Sequence, residues 1–149
     1  SIGTYVYQQS PEMVDVFRLG FLASLTTKLS DTFQSEIGKA YGKTTLLITT
    51  LERVPQGTEG AISLEGYLAG IGGSILMAGS GWSIGFINQP YEFYWCLIAA
   101  LIANTTESFL GAYLQQGKKE ILSNEIVNLI NTLVGALIAM EGSQIKFVL

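Results

Sequence analysis

Residues 66–91, between Glu65 and Glu92, carry no charged side chain. A helix of ~20 residues crosses a hydrocarbon core of ~30 Å, so this run is long enough to span a membrane. Composition agrees, because the charged fraction of 13% is about half the ~25% of ordinary soluble domains. With 48% hydrophobic residues there is too little charge to cover a globular surface, which sets aside disordered and coiled-coil readings. A net charge of −4 argues against a nucleic-acid partner. Gly66, Ala69, Gly70, Gly73 and Ser74 place small residues three and four apart. That spacing lets helices approach closely in lipid but weakens an isolated soluble helix. A soluble helical domain with glycine-rich core helices is the competing reading.

Three further segments follow the same logic. Residues 93–117 are apolar apart from Glu107, and residues 121–140 are apolar apart from Glu125. In residues 13–37, Phe17, Phe21, Leu22, Leu25, Leu29 and Phe33 recur at helical intervals among Asp15, Arg18, Lys28 and Asp31. The expected fold is therefore all-α, a polytopic transmembrane bundle with helices over 13–37, 62–87, 93–116 and 121–141. Residues 1–149 form a single membrane domain, and Gly38 and Gly42 are expected to break the first helix. Lys39, Lys43 and Arg53 precede the second helix, and Lys118 and Lys119 precede the fourth. Four alternating spans put these five bases on one side, leaving Lys146 on the other; basic loops stay cytoplasmic or stromal. The chain starts at Ser1 with no basic leader before its apolar runs, so no signal peptide is expected.

The absence of histidine removes imidazole bases and Ser-His-Asp systems, and the lone Cys96 removes disulfides and cysteine-rich metal sites. Chemistry must come from carboxylates, amines, amides and hydroxyls. A carboxylate within a span costs ~2.5–3.5 kcal/mol on insertion scales, so each needs a partner, a wet cavity or a task. Asn104, Glu107, Ser108, Gly111 and Gln115 share one helical face, as do Asn124, Asn128, Asn131, Thr132 and Gly135 on the next helix. Either these faces bond to each other and hold the bundle together, or they line a hydrated pocket.

On the first helix Lys28, Asp31 and Ser35 share a face, as do Thr32 and Glu36. The loop that follows mixes Lys39, Lys43 and Arg53 with threonines and the turn Gln56-Gly57-Thr58-Glu59-Gly60, and Ser63, Glu65 and Gly66 open the next helix. Such a mixture suits a polyphosphate carrying a divalent cation: carboxylates hold the metal, lysines neutralise phosphate oxygens, and glycines admit them to backbone N–H groups. Solvated loop charges are the plainer reading. The string from Gly38 to Thr44 is not a P-loop, because three residues separate its glycines where the motif needs four and it follows a helix.

The string Ser30-Asp31-Thr32-Phe33-Gln34-Ser35-Glu36-Ile37-Gly38-Lys39-Ala40-Tyr41-Gly42-Lys43, with Val54-Pro55-Gln56-Gly57-Thr58-Glu59-Gly60 and Ser63-Leu64-Glu65-Gly66, resembles the integral-membrane phytyl-phosphate kinase family of plastids and cyanobacteria. Asn104, Glu107-Ser108, Asn124-Glu125, Asn128 and Asn131 extend the likeness along nearly the whole chain. A weaker likeness joins residues 31–43 and Leu64-Glu65-Gly66 to the CTP-dependent polyprenol kinases, such as dolichol kinase and phytol kinase. Members of the family carry further spans before the region where this chain begins, so the chain is expected to be a fragment. The resemblance implies an enzyme of plastid or cyanobacterial membranes. It would transfer a phosphoryl group from a nucleoside triphosphate, CTP, to a prenyl monophosphate such as phytyl phosphate, giving the diphosphate for tocopherol and phylloquinone side chains.

On that reading Asp31, Glu36, Glu59 and Glu65 hold Mg²⁺, and Asp31, Glu36 and Lys43 form the catalytic group. Lys28, Ser35, Lys39, Arg53, Gly57 and Thr58 contact nucleotide phosphates, and Lys28 could equally pair with Asp31. Asn104, Glu107, Asn124, Asn128 and Asn131 line the pocket. A transporter or lipid-binding membrane protein without catalysis is the alternative, in which the same faces form a permeation or headgroup site.

Overall fold

The computed structural model describes residues 11–114 and 123–145. Its elements are α1 (Pro11–Tyr41), β1 (Leu46–Leu47), β2 (Ala61–Ile62), α2 (Leu64–Ser83), α3 (Pro90–Leu114) and α4 (Asn124–Gly142). The two short strands pair antiparallel, Leu46 opposite Ile62 and Leu47 opposite Ala61.

Helix α1 has 31 residues, about 46 Å at ~1.5 Å each, so it is longer than a hydrocarbon core is thick. It does not break at Gly38, contrary to the sequence expectation. It ends at Gly42, whose N–H donates to Gly38 O at 3.0 Å. Gly38 stays helical because α1 crosses α2 there: a Cβ on Gly66 would stand 3.2 Å from Gly38 Cα and 2.7 Å from Gln34 O. Along the same face of α2, Gly70, Gly73 and Gly81 lie against Gln34, Phe33 and Leu22 of α1. The small-residue stripe is thus the seam between α1 and α2.

Ser63 caps α2, its Oγ accepting the Gly66 N–H at 3.1 Å. The charge-free run is not one helix. Helix α2 stops at Ser83, Gly85 takes a φ of 80°, and Pro90 opens α3 with a fixed φ suited to a first turn. Glu92, which marks the end of that run in the sequence, is buried. Its Oε2 accepts from the backbone N–H groups of Asn88 (2.7 Å) and Gln89 (3.3 Å), which satisfies donors at the head of α3.

Helix α1 packs against all three other helices and α3 against α4, while α2 and α3 meet over a smaller contact. Most of the packed centre is small or polar, with Ala23, Ala78, Cys96, Ala99, Ala103 and Ala139 beside Thr26, Thr27, Ser30 and Asn104, and Leu19, Leu22, Ile87 and Val127 are the larger apolar side chains buried with them. Large apolar side chains point outward instead, among them Phe17, Phe21, Leu68, Leu129, Leu133 and Leu137. A soluble monomer does not expose apolar surface on that scale, whereas lipid is a good solvent for it and interfaces within membranes favour small residues. Among the described residues α3 and α4 are long and apolar enough to cross a membrane. Glycine and serine dilute the 20-residue α2, and charges dilute α1. The architecture is an all-α membrane bundle, with a loop carrying the hairpin at one end. Gln115, Ile121 and the topology markers Lys118, Lys119 and Lys146 lie outside the described residues.

Candidate functional site

At the loop end the C-terminal halves of α1 and α3, the start of α4 and the loop enclose an open cavity of about 260 Å³. Helix α1 supplies its polar face. Lys28, Asp31, Thr32, Ser35, Glu36 and Lys39 all line the cavity, as one or two turns of helix require of residues three, four and seven apart. Asp31 is buried, and Lys28 reaches its Oδ2 at 3.3 Å while also donating to Asn128 Oδ1 on α4. Lys39 pairs with Glu36 at 3.6 Å on the outer rim. Glu107 of α3 brings its carboxyl against that of Asp31, with Lys28 and Glu59 as the other charges acting on it.

The loop supplies the outer wall through Gly57, Thr58 and Glu59. Thr58 Oγ1 donates to Pro55 O at 2.7 Å, and Gly57 has a φ of 84°, a value that favours glycine. Gly60, with a φ of 74°, presses on the backbone of Ala112, where any Cβ would collide, and so seats the loop on α3. Asn124 and Asn128 complete the wall from α4.

Several expected residues lie elsewhere. Lys43 and Arg53 are exposed and outside the cavity, and half-buried Glu65 does not line it either. Among the described residues no three acidic or cysteine side chains form a metal-binding group, so the four-carboxylate set of Asp31, Glu36, Glu59 and Glu65 is not assembled. The close carboxyl neighbour of Asp31 is Glu107, expected as an acidic residue lining the pocket and not among the four metal carboxylates. Asn104 and Asn131 do not line this cavity. They lie buried beneath it in a chain of hydrogen bonds that crosses all four helices. Asn131 Nδ2 donates to Asn104 Oδ1 and to Glu107 Oε2, both at 3.2 Å, Asn104 Nδ2 donates to Ser30 Oγ at 2.9 Å, and Ser30 Oγ donates to Gly70 O at 2.8 Å. For these two asparagines, bonding within the bundle describes their place.

Sequence reasoning missed Thr45. It lines the cavity, and its Oγ1 is buried without a hydrogen-bond partner. Within the run of threonines after Lys43, only the fold distinguishes it. A buried hydroxyl left unpaired is costly unless something else meets it.

The arrangement is a pocket with ammonium groups, carboxylates and backbone turns at the end of a lipid-facing bundle. Residues 1–136 match the family described as integral membrane protein DUF92. The chain belongs to that family. Within it, this DUF92 chain is 51% identical over 130 residues to protein VTE6, chloroplastic, of Arabidopsis thaliana, a match covering 87% of the chain and 39% of that protein. It is 52% identical over 122 residues to an uncharacterized membrane protein of Synechocystis, covering 82% of the chain and 46% of the relative. An uncharacterized membrane protein of Methanocaldococcus jannaschii is 39% identical over 123 residues, covering 82% of the chain and 50% of the relative. The chain thus spans half or less of the length of these curated relatives. No solved structure matches it. This DUF92 chain is an integral membrane protein of the plastid and cyanobacterial type.

Proposed function

We propose that the cavity is the phosphoryl-transfer site of a membrane-embedded prenyl-phosphate kinase that takes CTP and a prenyl monophosphate such as phytyl phosphate. The observation that carries this reading is the convergence of Lys28, Asp31, Lys39 and Glu107 on one open cavity at the end of an apolar bundle, with Thr45 in its wall. The likeness to the phytyl-phosphate kinases supplies the donor and acceptor.

In the reaction an oxygen of the prenyl monophosphate forms a bond to the γ-phosphorus of CTP. The bond from that phosphorus to the β-phosphate oxygen breaks, CDP leaves with the bonding pair, and the product is a prenyl diphosphate. The attacking oxygen is already ionised near neutral pH, with a second phosphate pKa of ~6, so no histidine or other strong base is required. Positioning and charge neutralisation supply most of the acceleration in such transfers. Lys28 and Lys39 stand where they neutralise phosphate oxygens, and the Gly57–Thr58 turn offers backbone N–H groups to the polyphosphate.

Asp31 and Glu107 fit Mg²⁺ better than the four-carboxylate set, since Mg²⁺ in such sites takes one or two carboxylates and completes its shell with waters and phosphate oxygens. When bound, the ion would draw charge from the triphosphate. The test is Asp31→Asn in the full-length protein, assayed in membranes for CTP-dependent phosphorylation of phytyl phosphate. Turnover falls by roughly 10²–10³, the effect of removing one preorganised electrostatic group. Undiminished turnover at equal expression removes Asp31 from the site, and substrate movement without CTP consumption replaces the kinase by a carrier.

A further inference from the structure

A second cavity of about 220 Å³ lies beside the first, between α1, α2 and α3. Its wall changes character with depth. Toward the loop end it is bounded by Ser30, Gln34 and Asn104, and beyond them Ile71, Leu97, Ile98 and Leu101 make it apolar. Gln34 lines both cavities, so the polar pocket and the apolar groove adjoin across one side chain. The Tyr67 hydroxyl and Thr105 Oγ1, 3.2 Å apart, bridge α2 and α3 at the level of this junction. Of the adjoining helix pairs, α2 and α3 touch least.

The groove also opens outward. Ile71 and Leu101 remain 42% and 45% exposed, toward the surface that faces lipid. From Tyr67 to Ser74 and from Asn104 to Leu97 it follows about 10 Å of helix at ~1.5 Å per residue. At ~30 Å³ per water-sized group its volume takes about seven such groups, the bulk of one to two isoprene units.

We propose that this groove binds the first isoprene units of the acceptor, with the phosphate in the polar cavity beyond Gln34 and the rest of the tail passing between α2 and α3 into the bilayer. This inference rests on the prenyl-phosphate reading above and assigns it a tail site. The occupant is a polyisoprenyl chain bearing a phosphate, because a ligand polar at one end and apolar along its length suits both of the spaces that adjoin at Gln34. Gly70 and Gly73 hold α2 against α1, and Gly70 itself forms part of the groove wall beside Ser30 and Gln34. Of the apolar residues on the inner turns of α3, Ile98 and Leu101 serve the tail.

The experiment uses the full-length protein in membranes and a prenyl monophosphate with a diazirine on its first isoprene unit. Irradiation followed by peptide mapping is expected to place the label on residues 67–74 and 97–101. Label spread over the outer face of α4 near Leu137, or confined elsewhere, overturns the groove. Independently, Ile71→Trp fills the space and raises KM for phytyl phosphate about tenfold with kcat retained, the effect of excluding a few methylenes from burial. Leu137→Trp, on the outer surface, leaves KM unchanged. Label in the groove without phosphoryl transfer keeps the tail site and removes the kinase. Transfer with label elsewhere and an unchanged KM in Ile71→Trp keeps the kinase and removes the tail site.

Discussion

The two ends of the bundle each gather acids and bases, yet they do opposite things with them. At the end away from the loop, Arg18 of α1 lies 3.0 Å from Asp15 and 3.8 Å from Glu92. With its amide turned to face the guanidinium, the Asn88 side-chain oxygen accepts from both terminal nitrogens at 2.8 and 2.9 Å. Glu92 in turn takes the N–H groups of Asn88 and Gln89, so the charges are consumed in tying the turn between α2 and α3 to α1. At the loop end, Asp31, Glu107, Lys28 and Lys39 surround a cavity large enough for a polyphosphate segment. The same residue types therefore staple one end and line a cavity at the other, and what separates them is whether the paired groups also border an open space.

The sharpest way to break this contrast is Arg18→Met. It leaves buried Glu92 without its cation, and removing one partner of a buried pair costs about 3–5 kcal/mol. The thermal midpoint of the detergent-solubilised protein should drop markedly while phosphoryl transfer per folded molecule is retained. Loss of specific activity in the molecules that remain folded would mean that the far end does more than hold the helices.

The mirror-image test is Glu107→Gln. It keeps the size of the side chain and its acceptor for Asn131, so the melting midpoint should move little, whereas turnover should fall by roughly 10²–10³. A drop in stability with turnover intact would turn this end into a second staple and undo the comparison.

How much of this was legible before the fold depends on how local each feature is. The face of α1 carrying Lys28, Asp31, Ser35 and Glu36 could be read directly, because helical geometry alone places those residues together. The glycine seam of α2 was legible for the same reason. The break between α2 and α3 was expected at 88–92 and lies at residues 84–89; what could not be read is that Glu92 sits inside α3 as a buried cap. Lys43 and Arg53 belonged to the expected phosphate group by proximity in sequence, but the path of the loop carries them to the surface. Asn104 and Glu107 lie one turn apart on one face, and nothing in a single sequence tells which depth is packed and which is open. That answer comes from α1 and α4 arriving at the same level.

Asn131 stands on the border between the two behaviours and sharpens the line. Its amide holds Asn104 and Glu107 together, while its own Oδ1 is buried without a partner. Asn131→Ala removes interhelical hydrogen bonds worth about 0.6–1.7 kcal/mol in a membrane bundle. Through the lost contact to Glu107, turnover should fall by a smaller factor than in Glu107→Gln. A loss as large as that of Glu107→Gln would move the boundary of the site one turn deeper, to include the hydrogen-bonded chain.

The smallest effect carries the most specific sign. In the ligand-free protein Thr45 Oγ1 is a buried hydroxyl with no partner, so Thr45→Val, which keeps the shape and removes the polar atom, should leave stability equal or slightly raised. If that hydroxyl awaits a phosphate oxygen, the same variant should raise KM for CTP up to about tenfold, since one hydrogen bond to a charged group contributes ~1.5 kcal/mol or somewhat more. A staple residue cannot behave this way, because removing a bond it makes weakens the fold. Stability held or gained together with weakened nucleotide binding is therefore a signature of the open end alone. Thr45→Val with reduced stability and unchanged KM would make Thr45 a structural residue of the loop, with no part in nucleotide binding.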